Sequence, residues 1–266
     1  MLVDPAQVGG DPADAFDVVI PTLPGDGFSD KPTRPNQVDS VDLFFRLMTE
    51  TLGYSRFMAA GTDIGAGVAT RLALRYPKKV KAIHVTAVVD PPLTENSPPL
   101  TRDEQAYREQ NRKWDAEEGA YQALQSTRPQ TLAFGLTDSP VGLASWISEK
   151  FYNWSDCQGD LLSVFPMDTL IDNLMVYWAT NTIGSSVRYY YESQHFRPPL
   201  VLGDHVVVPT GVMVLPKDLG QPPQEWASRF YNVQRYTVLD HGGHFPAWEV
   251  PDLYAHDLRA FARDLA

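Results

Sequence analysis

The chain has 266 residues, 43% of them hydrophobic and 11% aromatic, which is enough apolar mass to fill one domain with an insertion or two small ones. Its formal charge of -11 argues against nucleic acid or an anionic membrane surface as a partner, because both require a basic face. The single cysteine, Cys157, forbids an intrachain disulfide and suits a reducing compartment, the cytoplasm by default. No stretch has the apolar length of a transmembrane helix, and Met1 to Asp17 lacks the basic end and apolar core of a signal peptide.

In chain order, Phe16-Asp17-Val18-Val19-Ile20-Pro21 reads as a short strand, followed by a turn-rich loop from Leu23 to Ser29. Ser40 opens a predicted helix whose apolar positions Val41, Phe44, Phe45, Met48 and Leu52 recur at helical spacing, with Gly53 as its stop. Arg56 to Ala60 is a strand-like run, and Ala66 to Tyr76 reads as a helix ended by Pro77. Ala82 to Val89 is a further strand, and this alternation predicts a parallel α/β sheet. From Asp90 to about Gln194 the periodicity is helical, over Glu104 to Trp114, Leu143 to Tyr152 and Met167 to Tyr191. Strand character returns at His205 to Leu215 and Arg235 to Leu239, and a closing helix follows Pro251. The expected organisation is a sheet core over residues 1–92 and 196–266, interrupted by an all-helical insert over 93–195.

Between the second strand and its helix lies Gly61-Thr62-Asp63-Ile64-Gly65, which reads as a nucleophile elbow with aspartate where a serine usually stands. Small flanking residues let the backbone fold sharply there. A carboxylate at that hinge attacks a saturated carbon and forms an ester, whereas a serine attacks an acyl carbon. The substrate class that follows carries an electrophilic sp3 carbon. In doubly wound sheets of this kind an acid and then a histidine follow the nucleophile on loops at the carboxyl edge. Asp218 occupies the acid's place, with Glu225 and Asp240 as rivals. His244, in His241-Gly242-Gly243-His244-Phe245, occupies the histidine's place, with His241 as rival; the two glycines favour His244 by letting the backbone turn sharply before it. The imidazole would take a proton from water while the acid fixes its tautomer. Gly65-Ala66-Gly67 is no dinucleotide site, because the full G-x-G-x-x-G pattern is absent.

The chain resembles the microsomal-type epoxide hydrolases of the α/β-hydrolase fold family along almost its whole length. The resemblance is carried by Val19 to Ser29, the elbow, Asp138 to Ala144, Tyr177-Trp178 with Ser185 to Tyr190, Val208 to Gly211, and Gly242 to Phe245. It implies an α/β-hydrolase fold with a helical cap and hydrolysis of an epoxide to a vicinal diol through a covalent aspartyl ester, with no cofactor and no metal. It also implies two cap tyrosines that hydrogen-bond the epoxide oxygen. These fall on Tyr121 and Tyr190, with Tyr189 and Tyr191 as neighbouring alternatives. A phenol suits that task because it donates to a developing oxyanion while staying neutral at pH 7. Trp146, Trp154 and Trp178 suggest an apolar or aromatic epoxide, with water as the second substrate.

The chain departs from the family pattern at two places. The H-G-x-P loop that supplies one oxyanion-hole N–H is absent, and Met1 to Pro5 looks like the interior of the helix that normally follows it, so the chain looks truncated at its start. The hole is then expected to keep only the backbone N–H of Ile64, at a cost of roughly 2.7 to 4 kcal/mol in ester hydrolysis. Such a truncation also leaves a sheet edge open to pairing with a partner, including a second copy in a homodimer. Asp26 stands where relatives usually carry an aromatic residue. Two competing readings are a haloalkane or haloacid dehalogenase, which often needs a tryptophan where Ile64 stands, and an inactive hydrolase-fold module that binds an apolar ligand.

Overall fold

The computed structural model describes residues 1–33 and 40–265. Helix α1 (Ser40–Arg46) widens at its end into a π-helical turn, Leu47–Thr51, and Gly53, in the left-handed region at φ 75°, follows that turn. Strand β1 (Phe57–Gly61) leads through Thr62 into helix α2 (Asp63–Arg75), and β2 (Val80–Val85) follows. Seven helices come next without an intervening strand: α3 (Arg102–Glu118), α4 (Ala120–Thr127), α5 (Pro129–Asp138), α6 (Pro140–Trp154), α7 (Leu161–Val164), α8 (Met167–Thr180) and α9 (Ile183–Phe196). The chain then returns to the sheet with β3 (Val206–Val214), α10 (Gln224–Ser228), β4 (Tyr231–Val238), α11 (Pro246–Glu249) and α12 (Pro251–Arg263).

Among the described residues four strands pair in the order β1-β2-β3-β4, each pairing parallel. β2 and β3 are rich in valine and buried along most of their length, as strands covered on both faces require, whereas β4 also carries Asn232, Gln234 and Arg235. Val80, Ile83, Val85, Val206 and Val212 are fully buried and pack with Ala66, Ala69 and Leu72 of α2 in one core. The helices between β2 and β3 form their own apolar clusters, one around Leu143, Ile183 and Val187 and another around Phe151, Phe165 and Leu170. On the far side of the sheet, His84 Nε2 lies 2.8 Å from Asp257 Oδ2, and the other oxygen of Asp257 accepts from Arg235 (2.6 Å) and Thr237 (2.8 Å). That cluster fastens α12 to β2 and β4.

Four expectations need correction. Phe16 to Pro21 is not a strand; it has no ladder partner among the described residues and Ile20 is 86% exposed, so β propensity alone did not produce pairing. Met167 to Tyr191 is two helices, because Asn181 takes the left-handed conformation (φ 53°) and closes α8. The predicted Ala82 to Val89 strand begins earlier, at Val80, and stops at Val85. At the chain's start, Pro5–Val8 forms a single 3-10 turn rather than a longer helix.

Candidate active site

The elbow is built around one close approach. A Cβ on Gly61 would stand 2.2 Å from the backbone carbonyl of Gly65, so the first position admits only glycine. A Cβ on Gly65 would meet nothing outside its own helix, so the crowding belongs to one glycine rather than both. Asp63 sits at the turn with φ 45°, a left-handed conformation that a non-glycine residue adopts at a cost, and such strain recurs at functional sites. As first residue of α2 it stands at the positive end of the helix dipole, with its side chain 38% exposed. The first hydrogen bond of α2 runs from Ala66 N–H to the Thr62 carbonyl (3.1 Å). The N–H groups of the first turn, including Ile64, precede it and are the ones a helix leaves without intrahelical acceptors.

His244 reaches the elbow from the loop after β4. Its Nε2 lies 3.0 Å from Asp63 Oδ2 and its Nδ1 2.6 Å from Asp218 Oδ1. Asp218 lies just past the end of β3, and the Lys217 N–H donates to the Gly242 carbonyl (3.1 Å), so the loops bearing the acid and the histidine are tied together. The His244 N–H donates to the carbonyl of Trp154 at the end of α6 (2.8 Å). A Cβ on Gly243 would stand 2.6 Å from that same carbonyl oxygen, which is why glycine precedes the histidine. The ring is 6% exposed and packs edge-on against Trp154 and Phe245. Burial disfavours the imidazolium, but the hydrogen bonds and charges of Asp218 and Asp63 outweigh it and raise His244 to about 10.

The rival residues lie elsewhere. Asp240 pairs with His241 on the surface, its side chain 92% exposed, and Glu225 accepts from the Thr101 hydroxyl (2.9 Å). Tyr189 is buried with its hydroxyl taking a hydrogen bond from Arg197 (2.7 Å), and Tyr191 stacks on His195.

Asp63 and His244 open into a cavity of about 460 Å³ whose opposite wall is made by α4, α6, α8 and α9. Tyr121 and Tyr190 both line it, their rings edge to face with centroids 5.9 Å apart. Burial first, and then the negative charge of Asp63, pushes both phenols well above the ordinary tyrosine range, so both stay protonated donors. Trp146, Phe151, Trp154, Phe245 and Trp248 supply an aromatic wall. Trp178, expected beside them, is not part of it and is 37% exposed. A second cavity of about 300 Å³ shares Asp63 and His244 with the first and is bounded by Asp218, Thr86, Asp90 and Asn111.

Several supporting groups were not found from sequence. Asp156 accepts from the Gly242 N–H (3.0 Å), and Glu249 accepts from the N–H groups of both Asp156 (2.7 Å) and Phe245 (2.8 Å). The carboxylate of Glu249 is a local signal, an acid in the first turn of α11, whereas Asp156 stands 86 residues before the glycine it holds. Tyr177 and Ser186 belong to the matched motifs, yet nothing in their spacing announced that they line the cavity.

A parallel sheet with a strained acidic elbow, a buried histidine between two carboxylates and a helical wall is the design of an α/β hydrolase. The chain belongs to the α/β-hydrolase fold family, whose model matches residues 6–251. It is 40% identical over its whole length to the "Putative epoxide hydrolase" of Stigmatella aurantiaca, and 32% identical over 98% of its length to epoxide hydrolase 1 of Oryctolagus cuniculus. The matches span 60% and 63% of those two proteins. Among solved structures, the juvenile hormone epoxide hydrolase of the silkworm Bombyx mori superimposes with a TM-score of 0.81 at 31% identity. That match covers 92% of this chain and 63% of the silkworm chain. Among the described residues, no helix is long and apolar enough to cross a membrane.

Proposed function

We propose that this chain hydrolyses an apolar or aromatic epoxide to a vicinal diol, with Asp63 as nucleophile. The observation that carries the reading is the facing arrangement of Asp63 with His244 at 3.0 Å and of Tyr121 with Tyr190 around one aromatic-walled cavity. An Asp63 oxygen attacks a ring carbon, the carbon–oxygen bond breaks, and the developing alkoxide is met by the two phenol donors. Water then attacks the Asp63 ester carbonyl while His244 takes its proton and Asp218 holds the ring. The tetrahedral oxyanion faces the Ile64 N–H; collapse expels the diol oxygen, which takes up the proton of the added hydroxyl, so the diol leaves neutral and Asp63 returns as a carboxylate.

The state of His244 fits this order. Between two carboxylates it is held as imidazolium, which is no base. Esterification of Asp63 removes one of those charges and leaves an alkoxide to be neutralised; the imidazolium proton goes to that alkoxide, and the neutral imidazole can then take a proton when water meets the ester. Residues 93–195 act as the cap over a core formed by 1–92 and 196–266. The acidic composition and the single buried Cys157 support a cytoplasmic setting, and the one-sided pairing of β1 supports a homodimer.

The test is incubation of the purified chain with a simple aryl epoxide, following diol by chromatography and the protein by mass. Diol that forms with the wild type and vanishes with Asp63→Asn is the expected result. A mass adduct at Asp63 without diol would place the defect in the second step. Neither diol nor adduct would overturn the reading.

A further inference from the structure

Among the described residues, Lys150 is the one lysine or arginine in the wall of the first cavity, and the proposed chemistry does not use it. It stands on α6 one turn before Trp154, whose carbonyl accepts from the His244 N–H. Its Nζ lies over the Tyr121 ring, 4.8 Å from the centroid, and over the Trp154 ring at 5.3 Å. Those two rings pack on each other with centroids 5.1 Å apart, so one ammonium serves both. The lysine side chain is 14% exposed, and two more exposed carboxylates, Glu149 (2.5 Å) and Glu118 (3.9 Å), pair with it. The pairs hold the ammonium at the rings and offset part of its field.

A cation over a phenol ring acts on the hydroxyl that the ring carries. The negative face of the ring attracts the ammonium, and the attraction grows as charge from the phenol oxygen spreads into the ring. A nearby positive charge thus favours the ionised form of the acid, and a phenol so placed gives more of its proton to an oxyanion in front of it. The effect is larger in a buried wall than in water, which weakens charges several ångströms apart. Burial, Asp63 and Glu118 all oppose ionisation of Tyr121, and Lys150 is the cation set against them. Tyr190 differs: among the described residues no lysine or arginine lies over its ring. The two phenols that meet edge to face are therefore unequal donors.

We propose that Lys150 is a positioning residue for ring opening: its ammonium, held over Tyr121, makes that tyrosine the stronger hydrogen-bond donor to the departing epoxide oxygen. The proposal rests on the epoxide-hydrolase reading and adds to it which phenol takes the larger share of the developing charge. In the step concerned, an Asp63 oxygen bonds to a ring carbon as the epoxide carbon–oxygen bond breaks, and the electron pair stays on the oxygen that the phenols meet. Lys150 acts through the Tyr121 ring and not on the substrate.

The experiment follows ester formation and ester breakdown separately, by rapid-quench protein mass with an aryl epoxide, in Lys150→Met and Lys150→Arg. Methionine keeps the stem against the two rings and removes the charge, whereas arginine restores a cation that also seats on aromatic faces. Lys150→Met is expected to slow ester formation about tenfold and to leave breakdown within about twofold of the wild type, and Lys150→Arg to recover formation to within about threefold. In a Tyr121→Phe background Lys150→Met should lose its effect on formation, and in a Tyr190→Phe background it should keep it. A lysine with a structural role alone would act through Trp154, which packs on His244, and would slow breakdown as much as formation. That pattern, failure of arginine to rescue, or an equal effect in both backgrounds overturns the proposal. If the wild type forms neither ester nor diol, para-nitrophenol is titrated on the protein by its visible absorbance. A bound pKa lower by about one unit in the wild type than in Lys150→Met upholds the role of Lys150 while the hydrolase reading fails. Equal values, or no binding by the wild type, sink both.

Discussion

The charge on His244 is the residue-scale feature from which the proposed chemistry can be tested without substrate. Its elevation to about 10 depends on two carboxylates, Asp218 and Asp63, acting against burial. Replacing Asp63 by asparagine imitates the neutral ester, so the His244 titration is expected to fall by at least about one unit, read from the imidazole ring signals by NMR. An unchanged titration would mean that esterification cannot release the base. The same shift has a stability consequence with a definite sign. A raised pKa contributes stability that is fully present below the unfolded value, near 6.5, and is lost as pH rises through about 10, so Asp63→Asn should flatten that part of the stability profile. The tyrosines make a separate prediction. Tyr121→Phe and Tyr190→Phe each delete one donor to the developing alkoxide, and each should slow ester formation by about 100-fold in single-turnover mass measurements. A loss confined to ester breakdown would count against their assignment as donors in ring opening.

At the scale of elements, the glycines at Gly61 and Gly243 show why the catalytic loops were legible in the sequence. Each sits where another backbone leaves no room for a Cβ, and that demand appears in the chain as local G-x-D-x-G and G-G-H patterns. The parallel sheet was legible for a similar reason, since buried β-branched strands alternate with amphipathic helices. What was not legible depended on distant partners. Val18 to Ile20 has strand composition but no strand beside it among the described residues, and Gly25 meets Ser185 across 160 positions of chain. The cluster of His84, Asp257, Arg235 and Thr237 belongs to the same category, joining β2, β4 and α12 through contacts no local pattern announces. Burial works to raise Asp257, but its hydrogen bonds to His84, Thr237 and Arg235 prevail and lower it to about 2. Its contribution to stability is therefore present above the ordinary carboxylate range and lost as pH falls through about 2. Removing the acid alone strands the fully buried His84 and leaves Arg235 only its pair with Asp264 (3.5 Å). Asp257→Ala is expected to cost about 3 kcal/mol in urea unfolding with the slope unchanged, and a loss below about 1 kcal/mol would show the cluster to be dispensable.

For the whole molecule the open question is how the sheet ends. Among the described residues β1 pairs with β2 on one side only, and Ala60 within it is exposed. Unpaired strand edges attract a strand from another chain unless charge, proline or a covering element blocks them, and β1 (FMAAG) holds neither charge nor proline. Opposing this, each copy carries a formal charge of -11, and repulsion between like-charged copies weakens association at low ionic strength. The balance predicts self-association that strengthens with salt, because screening at 0.15 M already limits such repulsion to about 8 Å. Sedimentation velocity over a protein and salt series measures this directly. The wild type should shift toward dimer as either rises, and Ala60→Lys, which places a charge on the edge without disturbing a buried position, should remain a monomer under the same conditions. If the wild type stays monomeric throughout, the edge is closed by something other than a second copy. If wild type and variant dimerise equally, the contact lies on another face, and β1 then has no part in assembly.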